Sequence, residues 1–403
     1  MTRILLLENP HISADAVFER YGFEVIRYPG ALDEDELIER LKGVDMLGIR
    51  SKTNVTRRVI EANPQLTAIG AFCIGTNQID LEAASEHGLA VFNAPYSNTR
   101  SVVEMVVALL IALTRDIPAK NAALHKGLWM KSAAGAHEVR DKTIGIIGYG
   151  SIGSQLSVIA EALGMHVLFY DIAEKLALGN AHRAYSLDEL LEQADVVSLH
   201  IDGRPENTNF FDKAKFDKMK KGSVFINLSR GHVADLHALQ EKLDDGTIAG
   251  AAVDVFPKEP KANGDPFESN LAGYDNVILT PHIGGSTIEA QKSIGDFVAM
   301  KLANYWRKGS TELSVNIPNI ATSPSRDSLR RVAWFHHNTP GALASVNQLF
   351  ANAGANVTYQ SLSTAGEYGY MVTDTADPVP DEILEELKQA PAHIRLRVLK
   401  REY

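Results

Sequence analysis

The chain has 403 residues, 45% of them hydrophobic, and a formal net charge of −10. That length is material for two or three domains with sizeable cores, and the acidic balance argues against nucleic acid as the main partner, because such binding rests on Lys and Arg neutralising phosphates. The one cysteine, Cys73, excludes an internal disulfide, fits no metal-type Cys/His spacing and suits a reducing compartment.

The first ninety-odd residues alternate short apolar runs with amphipathic stretches. Runs at 3–8 (RILLLE), 24–28, 45–50, 66–72 and 90–93 read as strands, and segments such as DEDELIERLKG read as helices. This is the βαβα rhythm of a parallel sheet. The N-terminus has too short an apolar run and the wrong flanks for a signal peptide. A long helical pattern follows from about Ser101 to Lys126, with Pro118 as the expected break. Its most apolar stretch, 102–113, contains Glu104 and falls short of the ~20 apolar residues that span a bilayer. The expectation is a soluble, cytoplasmic chain with no membrane partner and no metal.

The rhythm restarts at TIGIIG (143–148) and continues through apolar runs at 166–171, 195–200, 223–229, 250–255 and 276–280. Near-continuous runs of this kind suit strands covered on both faces. A helix is expected over about 287–308. Residues 310–328 are rich in Ser, Thr and Pro and read as a linker, with ELSVN as a candidate short strand. The last 75 residues read as strand, helix, hairpin, helix, strand. Leu343, Val346, Leu349, Phe350 and Ala353 share one face of the first of these helices. The order βαββαβ fits a small ferredoxin-like module. The fold class is therefore α/β: two Rossmann- or flavodoxin-like parallel-sheet domains and a C-terminal ferredoxin-like domain.

The segment GYGSIG (148–153) is G-x-G-x-x-G, which alone is a weak signal. Here it follows a strand, opens a helix, and precedes Asp171 at the end of the next strand. That context is the dinucleotide fingerprint. Gly148 permits the tight turn, Gly150 lets the backbone approach a pyrophosphate, and Gly153 lets the helix pack on the sheet. Asp171 can accept from ribose hydroxyls and repels a 2′-phosphate, so NAD is favoured over NADP. The bland alternative is an ordinary glycine turn with Asp171 as a helix cap; four elements in order outweigh it.

Arg230 (INLSRG), Glu259 (VDVFPKEP) and His282 (TPHIGGS) follow three consecutive predicted strands. Ligands of open α/β sheets bind at the carboxyl ends of strands, so the three can converge. The chemistry that needs them is oxidation of a 2-hydroxy acid. Arg230 grips a carboxylate, His282 takes the hydroxyl proton, and Glu259 fixes the imidazole. Singly, a surface arginine, a loop glutamate and a capping histidine are as good a reading. Pro281 stiffens the approach to His282, and Gly284 and Gly285 leave room for a nicotinamide.

Together GYGSIG, INLSRG, AVDVFPKEP and TPHIGGS resemble the D-isomer-specific 2-hydroxyacid dehydrogenase family over about residues 1–310. FCIGTNQIDL, FNAPYSNTRSVVEM and LWMKSAAG resemble its branch acting on D-3-phosphoglycerate, and the tail resembles an ACT regulatory domain. The resemblance implies NAD-dependent oxidation to 3-phosphohydroxypyruvate, the first step of L-serine biosynthesis, in a homotetramer. It implies Arg230, Glu259 and His282 as catalytic residues. It implies NAD contacts from Ser151, Ile152, Asp171, Leu228, Ser229, Arg230, Asp254, His282, Ile283, Gly284 and Gly285. It also implies a substrate-binding domain of 1–97 completed by 283–312, an NAD domain over 98–282 and an ACT domain over 325–403.

Arg50, Ser51 and Lys52, after the third predicted strand, offer donors for a phosphate or carboxylate. Asn98 and Arg100 begin the long helix, whose dipole favours an anion. Lys131 is a candidate contributor across a subunit boundary. Ordinary solvated charge is the even alternative before the resemblance is weighed. In the tail the resemblance implies L-serine held by His336, Asn338 and Asn356, although His337 stands where the pattern is usually acidic and Thr339 where it is commonly basic. Capping of turns is the near-even alternative for Asn338 and Asn356. Two further functional readings remain: another D-2-hydroxyacid dehydrogenase or 2-oxoglutarate reductase, and an NAD-binding sensor or co-repressor.

Overall fold

The structure, a computed structural model, describes residues 1–260, 264–323 and 329–399. The chain divides into two compact units, one of Met1–Ser97 with Gln291–Tyr403 and one of Asn98–Ala290.

The first unit begins with five short parallel strands, β1 (Arg3–Leu7), β2 (Glu24–Tyr28), β3 (Met46–Ile49), β4 (Ala68–Ala71) and β5 (Ala90–Phe92), in the order β2-β1-β3-β4-β5. Three of the four helices between them start where a side chain accepts an orphan backbone N–H: Asp33 from Glu36, Thr56 from Val59 and Asp80 from Ala83. One face of the sheet buries Leu5, Leu7, Leu47 and Ile69 under these helices. The other takes the helix Ile288–Lys308 so closely that a Cβ on Gly70 would lie 2.7 Å from Val298 and 2.8 Å from Leu302.

The second unit holds seven parallel strands, β6 (Thr143–Ile147), β7 (His166–Tyr170), β8 (Ala181–Arg183), β9 (Val196–Leu199), β10 (Ser223–Asn227), β11 (Ile248–Val253) and β12 (Val277–Leu279). Their order is β12-β11-β10-β9-β6-β7-β8. The chain winds outward from β6 to β8, then crosses to β9 and winds the other way. The reversal between β6 and β9 opens a crevice at the carboxyl edge of the sheet. β8 was not expected from the sequence: it has three residues at the sheet edge, two of them exposed, too few for a period.

The tail is an antiparallel sheet of β13 (Arg330–His337), β14 (Val357–Ala365), β15 (Tyr368–Thr375) and β16 (His393–Leu399), in the order β14-β15-β13-β16. This is the expected ferredoxin-like arrangement. Successive residues of a strand face opposite sides. Val332 and Trp334 therefore pack under the helices Ala342–Asn352 and Asp381–Gln389, while Ala333 and Phe335 join the core that holds Phe92, Tyr305, Ile317 and Ile320. The guanidinium of Arg395 donates to the carbonyls of Leu66 (2.5 Å) and Pro64 (3.0 Å), and that of Arg397 to Tyr305 (3.2 Å) and Trp306 (2.9 Å).

Four expectations need correction. The long helix ends at Thr114, and the next one spans Ile117–His125; the break is the left-handed Asp116 (φ 54), while Pro118 sits in the first turn of the second helix, where its missing N–H costs nothing. Residues 310–320 are no free tether: Thr311, Ile317 and Ile320 are buried, and Ser310 and Thr311 donate to the carbonyls of Ile320 and Pro318. Residues 324–328 of that expected linker lie outside the described ones, as does the expected start of the tail domain at 325. Within ELSVN only Ser314 pairs, as an isolated bridge to Phe92. Leu343 is 40% exposed, so the buried face of its helix rests on Val346 and Phe350.

Arg331 and Asp374 form a buried pair at 2.6 and 2.7 Å, and Arg331 also donates to the carbonyls of Lys308 and Ser323. Removing one member leaves the other charge unpaired in a low-dielectric site. Asp374→Ala is expected to lose roughly 3–5 kcal/mol, read as a lowered thermal unfolding midpoint.

Candidate active site

The three glycines of the fingerprint meet three different surroundings. Gly148 has φ 94, and a Cβ there would lie 2.5 Å from the carbonyl oxygen of His200. A Cβ on Gly153 would lie 2.2 Å from the carbonyl oxygen of Gly148, so the helix Ser151–Ala162 closes directly on the turn. A Cβ on Gly150 would meet nothing within 4 Å. Protein packing explains the first and third glycines; open space above a helix N-terminus surrounds the second. No side chain caps that helix, and its first turn, which starts with Ser151 and Ile152, has no acidic residue. The free N–H groups and positive dipole end suit a diphosphate. Asp171, after β7, accepts from the Tyr149 N–H (2.8 Å) and the Ala173 N–H (2.8 Å), which fixes its carboxylate at the edge of this turn. These residues fit a dinucleotide.

The other cluster is built at the ends of β10, β11 and β12. Asp254, 1% exposed, follows β11. Its Oδ1 accepts from the Thr280 hydroxyl (2.6 Å) and the Ile283 N–H (2.9 Å), and its Oδ2 accepts from the Gly284 N–H (2.8 Å). Its carbonyl accepts from the His282 N–H at 2.8 Å. His282 itself is left-handed (φ 54), a region costly for a residue with a Cβ. Its Nδ1 meets Glu259 Oε2 at 2.8 Å, and Glu259 Oε1 accepts from the Phe256 N–H at 3.1 Å. The His282 side chain is 46% exposed, so Nδ1 is engaged while the ring stays open to solvent.

Arg230 lies on the turn after β10. Asn227, fully buried, shapes this turn by accepting from both the N–H (3.0 Å) and hydroxyl (2.7 Å) of Ser229 and donating to the Arg230 carbonyl (3.3 Å). Leu228 and Ser229 are buried beside it. Among the described residues the Arg230 guanidinium makes one hydrogen bond, to the Ser229 carbonyl (2.6 Å), which leaves most of its five N–H donors available. A Cβ on Gly231 would sit 1.9 Å from the Phe256 carbonyl carbon. The Arg230 turn thus packs on the same Phe256 backbone that holds Glu259.

The remaining expected site residues fall in different places. A Cβ on Gly285 would lie 2.1 Å from Asn98 Nδ2, which brings Asn98 to the His282 loop. Arg100 is instead ion-paired with Glu104 at 2.7 Å on the helix surface. Lys131 is exposed in the coil that carries Trp129, itself 79% exposed. Arg50, Ser51 and Lys52 follow β3 in the other unit, with Ser51 and Lys52 exposed. In the tail, His336 is buried and stacked on Trp334 at 4.2 Å. Its Nδ1 bonds the His337 carbonyl (2.8 Å), its Nε2 has no hydrogen-bond partner among the described residues, and burial pushes the imidazole pKa down. Asn338 donates to the Gly366 carbonyl (3.2 Å), and the Asn356 N–H donates to Asp377 (3.3 Å).

Sequence reasoning missed Asn227 and Thr280. A polar residue closing the apolar run SVFIN was a usable signal for Asn227; nothing local distinguishes Thr280. Among the described residues no group of His, Cys, Asp or Glu could hold a metal ion, and no helix is long and apolar enough to cross a membrane.

Compared with known proteins, residues 107–284 match the D-isomer specific 2-hydroxyacid dehydrogenase NAD binding domain, and 333–394 match an AHAS small subunit-like ACT domain. The D-3-phosphoglycerate dehydrogenase of Haemophilus influenzae is 49% identical over 398 residues, covering 98% of this chain and 97% of that one. The protein of the same name from Escherichia coli is 47% identical over 400 residues, with the same coverage, 98% and 97%. Among solved structures, a D-2-hydroxyisocaproate dehydrogenase aligns with TM-score 0.70 and 25% identity over 78% of this chain and all (100%) of its own. A D-lactate dehydrogenase with NAD+ from Lactobacillus jensenii aligns at 0.68 and 27%, over 78% of this chain and 99% of its own.

The glycine surroundings give a paired expectation. Gly153→Ala forces the helix off the turn and lowers the unfolding midpoint, whereas Gly150→Ala keeps the wild-type midpoint but weakens NAD binding, measured by titration of the two purified variants.

Proposed function

Since the chain belongs to the D-isomer-specific 2-hydroxyacid dehydrogenase family, we propose that it oxidises D-3-phosphoglycerate to 3-phosphohydroxypyruvate with NAD, the first step of L-serine biosynthesis. The observation that carries the catalytic part is the His282–Glu259 pair at 2.8 Å on a loop held by a buried carboxylate. When bound, NAD supplies the hydride acceptor. Arg230 holds the substrate carboxylate with its free N–H donors, which orients the carbinol hydrogen. His282, its Nδ1 committed to Glu259, takes the hydroxyl proton at Nε2 as the carbonyl forms, and returns it in the reverse direction. Glu259 keeps the ring in that tautomer and orientation.

The substrate assignment draws on the two near-full-length relatives of 49% and 47% identity that carry the phosphoglycerate dehydrogenase name. In this reading Arg50, Ser51 and Lys52 recognise the phosphate, Asn98 supports the substrate side of the His282 loop, Lys131 adds positive charge, and Arg100 does so on leaving its pair with Glu104. The dinucleotide contacts are Gly148, Gly150, Ser151, Ile152, Gly153, Asp171, Leu228, Ser229, Arg230, Asp254 and the stretch from His282 through Ile283 and Gly284 to Gly285. The working domains are a substrate-binding domain over 1–97 and 283–312, an NAD domain over 98–282 and an ACT domain over 325–403. The tail takes L-serine at His336, Asn338 and Asn356, and the assembly is a homotetramer in the cytoplasm, a setting that a single cysteine suits.

Formation of NADH with D-3-phosphoglycerate, D-lactate and D-glycerate, each with and without L-serine, tests the reading. D-3-phosphoglycerate is expected to be the fastest and to be slowed by L-serine; faster turnover of a non-phosphorylated acid overturns the substrate. His282→Ala is expected to lose about 100- to 10,000-fold in kcat while still binding NAD.

A further inference from the structure

The loop after β3 has a backbone arranged around one carboxylate that belongs to neither the loop nor the expected site. Glu8, just past β1, has φ 65 and is followed by Asn9 at φ 50. Two consecutive non-glycine residues in the left-handed region persist only where the surroundings hold them. The Glu8 N–H is anchored by the carbonyls of Tyr28 and Gly30, both at 3.1 Å. Its carboxylate then receives three backbone N–H groups of the loop: Oε1 accepts from Thr53 (2.8 Å) and Arg50 (3.4 Å), and Oε2 accepts from Lys52 (3.0 Å).

The opposite side of the same loop is also held. The Arg50 carbonyl accepts from Gln78 Nε2 at 2.6 Å, and Gln78 is buried. Thr53, where the loop re-enters the core, is fully buried. The Arg50 residue is thus gripped at its N–H by Glu8 and at its carbonyl by Gln78. Converging backbone N–H groups make a concavity that attracts anions. Here Glu8 fills it, so an external phosphate meets the side chains of Arg50, Ser51 and Lys52, not the N–H groups of Arg50, Lys52 and Thr53. A carboxylate is the suited filler: it is acceptor-only and offers two oxygens to three donors.

We propose that Glu8 is the positioning residue of the substrate loop, holding the backbone of Arg50 to Thr53 so that the side chains of Arg50, Ser51 and Lys52 stand fixed for an anionic substrate group. Gln78 is its counterpart on the carbonyl side. The proposal rests on the reading of residues 50–52 as the phosphate-recognising loop. Glu8 touches no reacting atom, so its loss acts on substrate recognition and leaves the dinucleotide site intact.

The test is steady-state kinetics of the full chain carrying Glu8→Gln, which keeps size and shape but turns an NH2 group toward the loop's N–H donors. KM for D-3-phosphoglycerate is expected to rise at least tenfold, with KM for NAD within twofold of wild type, kcat changed less than KM, and the unfolding midpoint near wild type. KM for D-glycerate, which lacks the phosphate, rises less. An unchanged KM for D-3-phosphoglycerate overturns the proposal, as does an equal loss across both substrates and NAD. If Glu8→Gln does not fold, Gln78→Met releases the other side of the loop with the carboxylate in place; it is expected to raise the same KM selectively, and a wild-type KM there overturns the proposal. A wild-type enzyme that shows no preference for the phosphorylated acid contradicts the substrate reading instead, and the positioning role is then read from the KM of whichever D-2-hydroxy acid is turned over best.

Discussion

The loop that carries His282 depends on one buried carboxylate. Asp254 spends both oxygens on the chain that follows β12, and its own carbonyl takes the His282 N–H. Left-handed backbone at a histidine costs of order 1–3 kcal/mol. Hydrogen bonds to a charged group contribute about 1.5–3 kcal/mol each, so the set anchored by Asp254 exceeds that cost. The strain is therefore affordable, and it aims the imidazole at Glu259. Glu259 is in turn tied to the Phe256 backbone, on which the Arg230 turn also rests through Gly231. Three loops from three neighbouring strands thus meet in one site, and the conformation of His282 follows from the hydrogen bonds of Asp254 and Glu259 within it.

The same logic recurs at the other sheet. Glu8 plays toward the loop after β3 the part Asp254 plays toward the loop after β12: a carboxylate ending one strand organises the loop after a later one. Both occur where a parallel sheet leaves several strand ends side by side, so that a charge on one element can gather N–H groups from another. The tail is joined to that first sheet by a shared apolar core and by Arg395 and Arg397 on backbone carbonyls. The tail is therefore one body with the sheet carrying Arg50, not an appendage.

What was legible in the sequence was what is written locally. GYGSIG declares its turn because each glycine answers a neighbour a few residues away, and the strands of the second sheet declare themselves by unbroken apolar runs. The meeting of Glu259 with His282 was readable because both follow strands that belong side by side. The structural partners of these groups were not readable. Asp254 could be named as a site residue, but its bonds to Thr280, Ile283 and Gly284 span nearly thirty positions, and nothing around Glu8 hints at a loop more than forty residues on. Composition misled at 310–320, where Ser and Thr look solvent-bound yet bond buried carbonyls. Proline misled at 118, where it fits a helix start, while an unremarkable Asp116 makes the break.

Asp254 holds the backbone of His282, Ile283 and Gly284 in place. The most direct measurement is the single-turnover rate of NADH formation from D-3-phosphoglycerate at saturating NAD in Asp254→Asn, whose amide turns a donor toward a loop N–H group. A fall of about 100-fold or more is expected in a variant with wild-type circular dichroism. A wild-type rate would contradict it.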